Sequence, residues 1–331
     1  MDWSGLMASF KNASVLVVGD ICLDRWCQYD PRESDVSRET GIPRIGITRT
    51  EATPGAGGTV ANNLAALGAG RVAVLGAIGQ DGFGFELERS LAKRHIDYSN
   101  LVASPKIQTF TYSKVINAET GIEDRPRVDF INTKPLPGDV EDQLIANFST
   151  VYERFDVIMV ADQAETLEGG VVTDAFREVI ADVAERESSK LVFADSRRRI
   201  EKYSHAIAKP NAAEAEDACM RLFGKIDYEM LRKHIGPRPM VVTQGDRGVL
   251  LVRDGEQRAF PAVAVGDPVD FCGAGDSFAA GMALALHAGA DFENAVRFGS
   301  MVSSITIMKR GTGTASPKEV LAAADALAVR E

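Results

Sequence analysis

The chain has 331 residues, of which 45% are hydrophobic and 25% are charged, and its formal net charge is −10. This composition is typical of a globular protein with a large core, and it excludes a collagen, a coiled coil and a disordered tail. An acidic chain of this kind is a poor partner for nucleic acid or for a membrane surface. Any anion that it binds must therefore be held at a local site.

Signals for membrane insertion, secretion and cross-linking are weak. No run of about 18 apolar residues predicts a transmembrane helix, and residues 1–14 lack the basic and apolar regions of a signal peptide. The four cysteines, Cys22, Cys27, Cys219 and Cys272, form no C-x-x-C pair, so they indicate neither a zinc site nor a disulfide framework. We therefore expect a cytoplasmic protein.

Strands and helices alternate along most of the chain. Short apolar runs predict buried strands at residues 15–19, 72–77, 157–160, 191–194 and 240–243. Helices are predicted at residues 61–67, 84–94, 140–153, 171–186, 212–223, 277–287, 292–308 and 318–328. This alternation predicts a parallel sheet that helices cover on both faces.

Two segments, about 28–52 and 107–133, interrupt the alternation. Within them, residues 42–49, 107–116 and 126–131 read as strands with one exposed face. We expect these strands to form a small antiparallel sheet outside the main domain.

A glycine-rich segment carries the clearest chemical signal. Gly273, Ala274, Gly275 and Asp276 lie between a polar loop and an apolar helix. Glycine lets backbone N–H groups approach a ligand, and the positive end of the helix suits a phosphate. Asp276 is placed to take a proton from an attacking hydroxyl, although the helix terminus favours its ionised form and predicts a weak base. The alternative is an ordinary glycine loop in which Asp276 caps the helix.

The wider segment from Asp270 to Phe278, DFCGAGDSF, resembles the D-T-T-G-A-G-D-x-F signature of the pfkB/ribokinase family of sugar kinases. The resemblance implies an α/β fold: a ribokinase-like three-layer sandwich with a mainly parallel central sheet and a small β-sheet lid. Residues 1–331 would form one domain, with the lid in the two segments given above. Asp276 would be the catalytic base, and the backbone of Gly273, Ala274 and Gly275 would bind the γ-phosphate of ATP. Asp270 would take part in the K⁺ site that some members build near this loop.

The resemblance also implies sugar contacts. Asp24 follows the first strand, where ligands of α/β sheets bind, and the alternative for it is a solvated loop acid. Residues 54–61 resemble the glycine-rich sugar-binding signature, with Thr59 in place of the usual asparagine. The alternative for this stretch is a tight strand-to-helix turn. The substrate contacts implied here are Asp24, Gly57, Gly58, Thr59 and Asn63.

Three further motifs imply a nucleotide site. Asn211 and Glu214 match N-x-x-E, which the family associates with Mg²⁺ and phosphate, while a helix capping box is the alternative. Residues 243–248 resemble a T-x-G-x-x-G nucleotide turn, and residues 309–313 resemble a loop that closes over the nucleotide. Lys309 can alternatively be a charge at a helix end. The implied nucleotide contacts are Asn211, Thr243, Gly245, Gly248, Lys309 and Gly311, with Glu214 acting on Mg²⁺ indirectly.

Within the family, the closest resemblance is to the heptose 7-phosphate kinases. Asp162 and Asp195 continue that series, and Asp162 is taken as a substrate contact. Those kinases carry a lysine where this chain has Glu165. Arg197, the first of three consecutive arginines, is the expected replacement because a guanidinium grips phosphate with two hydrogen bonds. A solvated loop is the alternative for this run.

The resemblance predicts ATP-dependent phosphorylation of a sugar or sugar-phosphate hydroxyl, with heptose 7-phosphate at its anomeric position as the candidate. Mg²⁺ would be required, the partner would be a small molecule, and the lid would form a homodimer. Three alternatives stay open. They are another sugar or nucleoside kinase of the family, a non-catalytic sugar- or nucleotide-binding protein on the same fold, and a dinucleotide-dependent oxidoreductase. No G-x-G-x-x-G motif follows the first strand in support of the last.

Overall fold

The computed structural model describes residues 1–33, 35–166 and 168–328. In chain order the strands are β1 (Ser14–Gly19), β2 (Ile21–Tyr29), β3 (Asp35–Val36), β4 (Pro43–Arg44), β5 (Ile47–Ala56), β6 (Arg71–Leu75), β7 (Ala77–Gly79), β8 (Val102–Ser104), β9 (Thr111–Asn117), β10 (Val128–Phe130), β11 (Val157–Asp162), β12 (Leu191–Ser196), β13 (Ile207–Ala208), β14 (Met240–Thr243), β15 (Val249–Arg253) and β16 (Glu256–Phe260).

The α-helices are α1 (Trp3–Ala8), α2 (Gly57–Ala66), α3 (Gly82–Ala92), α4 (Gly138–Val151), α5 (Asp174–Arg186), α6 (Ala212–Phe223), α7 (Tyr228–Ile235), α8 (Ala274–His287), α9 (Phe292–Thr306) and α10 (Pro317–Ala328). Single 3-10 turns lie at Phe10–Asn12, Pro31–Glu33, Tyr152–Arg154, Ile200–Lys202 and Gly245–Arg247. Among these described residues no helix is both long enough and apolar enough to cross a membrane.

The main sheet has eight strands in the order β16-β15-β14-β13-β12-β11-β1-β6. All neighbours are parallel except in the β14-β15-β16 edge, which is antiparallel. Side chains of β1 alternate between two cores: Val15 and Val17 pack on the α2, α8 and α9 side, and Leu16 and Val18 on the α4 and α5 side. Alternation of this kind is the two-residue period of a strand buried on both faces. The predicted three-layer α/β sandwich is confirmed.

The lid is a four-stranded sheet in the order β10-β9-β2-β5. Its outer pairs are antiparallel, but the central β2-β9 pair is parallel. The predicted small sheet is therefore present, and the expectation that it is wholly antiparallel is wrong, because β2 and β9 leave the main domain in the same direction. The lid strands span 21–56 and 111–130, compared with the predicted 28–52 and 107–133. Ser34, in the first predicted segment, lies outside the described residues.

The chain passes directly from β1 into the lid. Gly19 adopts φ +121°, and a Cβ there would overlap the carbonyl oxygen of Ala161 on the neighbouring strand. Only glycine fits this turn. Strand β2 begins at Ile21, directly after this turn, and it carries Asp24 to the edge where the parallel strands end.

Candidate active site

A cavity of about 160 Å³ lies between the lid, the carboxyl ends of the parallel strands and the start of α8. Its lining comes from six segments: β2, the β5–α2 junction, β9 with the turn before β10, the loop after β11, the loop after β12, and residues 272–312. The lining residues are Asp24, Arg25, Trp26, Ala56, Thr59, Tyr112, Lys114, Arg127, Gln163, Glu165, Arg197, Cys272, Gly273, Asp276 and Thr312.

Helix α8 begins at this cavity with free backbone donors. Gly273 is the residue before the helix, in the left-handed conformation at φ 78°, and no side chain caps the helix. The N–H groups of Gly275 and Asp276 donate to none of the described residues. Unsatisfied donors at a helix N-terminus form an anion site. The alternative in which Asp276 caps the helix is wrong, because the cap position is Gly273 and Asp276 is the third helical residue.

Asp276 has a strongly altered acidity. Burial and the charge of Asp195 raise its pKa to about 7, although Lys209 and Arg197 act in the opposite direction. The expectation of a weak base is therefore wrong, since loss of solvent outweighs the helix terminus. A carboxylate with a pKa near neutrality is well matched to take a proton from a hydroxyl.

Lys209 lies directly behind the start of α8. Its side chain is 4% exposed, and its Nζ is 2.7 Å from Oδ2 of Asp195. A Cβ on Gly275 would lie 3.4 Å from Nζ, so the glycine lets the ammonium come close to the anion site. Burial lowers the pKa of Lys209, but Asp195 and Glu214 raise it by more. Sequence reasoning missed Lys209, whose only signal was a lysine at the end of a buried strand.

Asn211 and Glu214 form the capping box of α6. The Asn211 side chain accepts from the N–H of Glu214 at 2.9 Å, and a Glu214 oxygen accepts from the N–H of Asn211 at 2.8 Å. The capping box, which was the alternative to a nucleotide site, is thus present. It leaves Oε1 of Glu214 without a hydrogen bond to a described residue. Burial and the negative charge of Asp195 raise the pKa of Glu214. The carboxylates of Asp195 and Glu214 are thus near enough to interact beside the anion site.

This donor set fits Mg²⁺ held through water. The ion prefers oxygen ligands and commonly takes one or two carboxylates together with water and phosphate oxygens. Asp195 and Glu214 offer such carboxylates, whereas no group of three or more His, Cys, Asp or Glu side chains in the described part of the chain forms a complete metal cage.

Asp24 lines the cavity from the lid. Burial raises its pKa to about 6, and Lys114 and Arg127 partly oppose this. Gly55 of β5, which pairs with Cys22, leaves room for the Asp24 carboxylate, because a Cβ on Gly55 would lie 2.5 Å from Cγ of Asp24. The alternative of a solvated loop acid is wrong, since Asp24 stands in the middle of β2.

The glycine-rich segment divides into cavity and support. Thr59 lines the cavity, and its hydroxyl donates to the carbonyl oxygen of Pro54 at 3.2 Å. Gly57 and Gly58 do not line it; a Cβ on them would lie 2.8 Å and 2.5 Å from neighbouring side chains. Asn63 is fully buried one turn on and donates to the Thr59 carbonyl at 3.0 Å. For Gly57, Gly58 and Asn63 the structure therefore supports the alternative of a tight strand-to-helix turn rather than a sugar contact.

Ala56 is strained at the mouth of the cavity. It adopts φ 51° and ψ −121° before α2, a conformation that strongly favours glycine. We expect Ala56→Gly to raise the free energy of unfolding by about 1 kcal/mol in urea titrations. Ala66→Gly, at the end of the same helix, should lower it by about 0.5–1 kcal/mol. Equal losses in the two variants would show that the Ala56 backbone carries no strain.

Asp162 lies beneath the cavity and does not line it. Its buried carboxylate accepts hydrogen bonds from Ser196 at 2.7 Å and Tyr203 at 2.9 Å. It also pairs with Arg177 at 3.6 Å and Arg199 at 3.5 Å. This corrects the expectation of a substrate contact: the oxygens of Asp162 already hold the loops that follow β11 and β12.

The three consecutive arginines have different roles. Arg197 lines the cavity and forms no side-chain hydrogen bond or ion pair with a described residue. Arg198 donates to the Glu165 carbonyl at 2.7 Å, and Arg199 donates to the Thr166 carbonyl at 3.1 Å. The last two hold the loop after β11, and that loop carries Glu165 into the cavity.

The lid adds two cations that sequence reasoning missed. Arg127 binds Asp129 through two hydrogen bonds of 2.8 and 2.7 Å and stacks over the Tyr112 ring at 5.0 Å. Lys114 forms no hydrogen bond or ion pair with any residue that the structure describes. The alternation of β9 was the available signal, because it turns Tyr112 and Lys114 to one face.

Asp270 ties the anion loop to the predicted nucleotide loop. Its two carboxylate oxygens accept from the N–H groups of Cys272 at 2.9 Å and Gly311 at 3.0 Å. Lys309 turns away from that loop: its Nζ is 2.6 Å from both the Thr314 carbonyl and the Glu319 carboxylate. This corrects the expectation that Lys309 contacts the nucleotide, and the alternative of a charge near a helix end describes it better.

The predicted nucleotide turn lies at the end of β14. Gly245 and Gly248 adopt φ 62° and 91°, and a Cβ on Gly248 would overlap the Phe260 carbonyl. The N–H of Thr243 donates to the Pro210 carbonyl at 3.0 Å, which puts the turn beside Asn211. The contacts predicted for Thr243, Gly245 and Gly248 stay predictions.

A lid over a cavity that combines a base near neutral pKa with a free helix N-terminus suits an enzyme that transfers a phosphoryl group to a hydroxyl. The chain belongs to the pfkB family of carbohydrate kinases, whose family model matches residues 12–319. This is the family that the motifs resemble, and membership of it speaks against the oxidoreductase alternative.

Curated relatives match almost the entire chain. "Bifunctional protein HldE" of Bradyrhizobium sp. (strain ORS 278) is 30% identical over 327 residues, which cover 96% of this chain and 65% of that protein. The protein of the same name from Trichlorobacter lovleyi is 29% identical, over 98% of this chain and 66% of its own length. The chain thus spans about two thirds of these relatives.

Solved structures share the fold. Ribokinase from Thermotoga maritima aligns with a TM-score of 0.70 and 22% identity, over 95% of this chain and 99% of that one. Arabidopsis thaliana ribokinase, solved with ribose and ATP, aligns with a TM-score of 0.67 and 18% identity, over 94% and 98% of the two chains. The ribokinase-like fold is confirmed.

Proposed function

We propose that the protein transfers the γ-phosphoryl group of ATP to a hydroxyl of a sugar phosphate, with heptose 7-phosphate at the anomeric position as the first candidate. One observation carries this proposal. Lys114 and Arg197 have no partner among the described side chains, yet both line the cavity that holds Asp24 and Asp276. In a chain of net charge −10, two unpaired cations in one small cavity favour an acceptor that is itself anionic.

The acceptor hydroxyl would lie beside Asp276, with Asp24 holding neighbouring hydroxyls. Asp276 takes the hydroxyl proton as the oxygen attacks, and its pKa of about 7 lets it hold that proton at neutral pH. The N–H groups of Gly275 and Asp276 then face the transferring phosphoryl group, and Arg197 and the buried Lys209 add positive charge. Mg²⁺ near Asp195 and Glu214 would neutralise charge on the phosphates.

An apolar cleft is the candidate site for the nucleotide base. It has a volume of about 350 Å³ and lies between residues 263–265, the end of α9 and α10. Val263, Ile305 and Met308 supply apolar walls, and Ser304 supplies a polar group. A flat heterocycle fits such a lining. The adjoining loop 309–313 is joined through Asp270 to the anion site, which suits the phosphates between the two.

The lid would keep water from the reacting groups. Its Thr53 hydroxyl is 3.2 Å from the hydroxyl of Thr312, and Trp26 packs so close to Gly311 that a Cβ there would lie 2.9 Å from the indole. These contacts cover the cavity from the side opposite Asp162. Exclusion of water favours transfer to the sugar over hydrolysis of ATP.

A screen of acceptors tests this function. ADP release would be followed with heptose 7-phosphate, fructose phosphates, free sugars and nucleosides, each with and without Mg²⁺ and K⁺. We expect the highest kcat/KM for a sugar phosphate. A preference for a free sugar or a nucleoside would overturn the acceptor assignment, and no turnover on any acceptor would favour a non-catalytic binding protein. The K⁺ arm tests the proposed cation role of Asp270.

We further propose that the lid pairs with a second copy of the chain. The β3-β4 hairpin, which leads into the lid strand β5, exposes Val36 and Ile42 at 51% and 65%, and the edge strand β5 itself exposes Ile47 at 44%. Exposed apolar edges favour association. Light scattering should show a dimer, and Ile42→Asp should shift it to a monomer. Ile226→Asp, at an equally exposed isoleucine far along the chain (56%), should leave the dimer intact. A wild-type monomer at high concentration would contradict this pairing.

A further inference from the structure

A second cavity adjoins the catalytic one. It has a volume of about 570 Å³ and lies between the lid sheet and residues 269–270 and 310–312. Trp26, Lys114 and Thr312 line both cavities. The two spaces therefore form one groove, and the catalytic cavity is its narrower end.

The strand register shows the direction of this groove. Asp24, Trp26 and Gln28 alternate onto the same face of β2, and Lys114 of β9 is paired with Trp26. Two residues along a strand advance by about 7 Å. Lys114 thus stands one step beyond Asp24 and Gln28 stands two steps beyond it, so the groove leads away from the reacting end.

The two cations in the second cavity lack hydrogen-bond and ion-pair partners among the described residues, whereas most of its acidic side chains have such partners. Lys114 and Arg310 form no hydrogen bond or ion pair with a residue in the described ranges. Glu51 is bound by Arg49, and the Asp270 oxygens accept from two backbone N–H groups. The balance of free charge in the groove is therefore positive, with Glu123 as the remaining acid.

Arg310 spans the groove from the main domain. A Cβ on Gly121, in the lid turn after β9, would lie 3.5 Å from a guanidinium nitrogen of Arg310. Arg310 therefore reaches from the loop after α9 to the lid, and Lys114 lies on the lid face of the same cavity. Two cations on facing walls are well placed to hold one phosphate.

We infer that this groove is a second acceptor subsite, in which Lys114 and Arg310 hold the distal phosphate of the sugar phosphate. The inference rests on the proposed function and deepens it by assigning the phosphate to the lid side. Glu165 agrees with this: it forms part of the wall of the catalytic cavity, in the loop after β11, and does not line the second cavity. An acid there makes that wall a poor place for a second phosphate.

Trp26 provides a direct test of binding. The chain has two tryptophans, and Trp3 packs on Phe298, so Trp3→Phe leaves Trp26 as the reporter at the junction of the cavities. Heptose 7-phosphate and the free heptose would be titrated against its fluorescence. We expect Arg310→Gln and Lys114→Gln to raise the Kd of the sugar phosphate at least about 10-fold and to leave that of the free sugar unchanged. Arg186→Gln, at an exposed arginine in the last turn of α5, is the matched loss of one charge and should change the Kd of neither sugar.

Kinetics separate this inference from the proposed function. Arg310→Gln should raise KM for the sugar phosphate by a similar factor, with kcat and the KM for ATP retained. Turnover of sugar phosphates with an unchanged KM in Arg310→Gln would overturn the subsite and leave the function standing. Binding that depends on Arg310 without turnover would overturn the function and leave the subsite standing. No response of Trp26 to any sugar phosphate, or a response that only Arg197→Gln weakens, would also overturn the subsite.

Discussion

Asp276→Asn is expected to lower kcat at least about 100-fold while the KM for ATP changes little, because the asparagine cannot take the proton of the acceptor hydroxyl. Wild-type kcat/KM should rise with pH and reach half its plateau near pH 7, where Asp276 becomes ionised. The residual activity of the variant should lose this step. Asp217→Asn, on the exposed face of α6, is the matched control and should keep both kcat and the pH profile. Near-normal turnover in Asp276→Asn would remove Asp276 from the mechanism.

The same substitution should stabilise the protein, with a defined pH dependence. The pKa of Asp276 rises from 3.8 to about 7 on folding, so between these values the folded state binds a proton that the unfolded state lacks. Stability contributed by this group is present at low pH and lost as the pH rises through 7. Asp276→Asn removes that loss. In urea titrations we expect the free energy of unfolding to increase by about 1–3 kcal/mol at pH 8 and to stay unchanged near pH 4. An equal gain at both pH values would point to a cause other than the carboxylate charge.

The elements around the site were predictable wherever the pattern was local. The strand at 240–243 and the helix at 212–223 match the structure to the residue, because a buried β-branched run and a capping box are both written in consecutive residues. Strand β2 was missed because Asp24, Arg25 and Gln28 interrupt its apolar residues, so it shows no continuous apolar run. Helix α7 and the β15-β16 hairpin were missed because they are short: α7 has eight residues, and β15 is a five-residue run beside the mostly exposed strand β16.

The site itself was predictable only in part. Asp276 and the glycines before it form a contiguous motif, and two members of it, Gly273 and Asp276, line the cavity. Lys209 and Lys114 come from segments far apart in the chain, so no spacing links them to that motif. The pKa of Asp276 depends on burial and on Asp195, which are consequences of tertiary packing. Lys309 was assigned to the nucleotide by its place in a loop motif, but the carboxylate of Glu319 on α10 holds it elsewhere.

Lys209→Met is expected to have the largest effect on stability, because it leaves the Asp195 carboxylate, whose side chain is 17% exposed, without its buried partner at 2.7 Å. Removal of one member of a buried ion pair costs about 3–5 kcal/mol. The loss should be largest at pH 8 and smaller near pH 5, since Asp276, whose pKa is raised to about 7, is protonated there and adds no negative charge beside Asp195. Urea titrations at the two pH values measure both the size and the direction of this change.

Lys209→Met should also move the pH profile of catalysis. Lys209 lowers the pKa of Asp276, so its removal should shift the midpoint of kcat/KM to a pH clearly above 7, whereas Lys209→Arg should largely keep it. Lys309→Met is the matched control: its pair with Glu319 is 36% and 41% exposed, and such a pair contributes at most about 1 kcal/mol. That control should leave the midpoint unchanged. A stable Lys209→Met enzyme with its midpoint still near 7 would show that the buried ammonium neither supports the fold nor tunes the base, and the positive charge at the anion site would then rest on Arg197 alone among these residues.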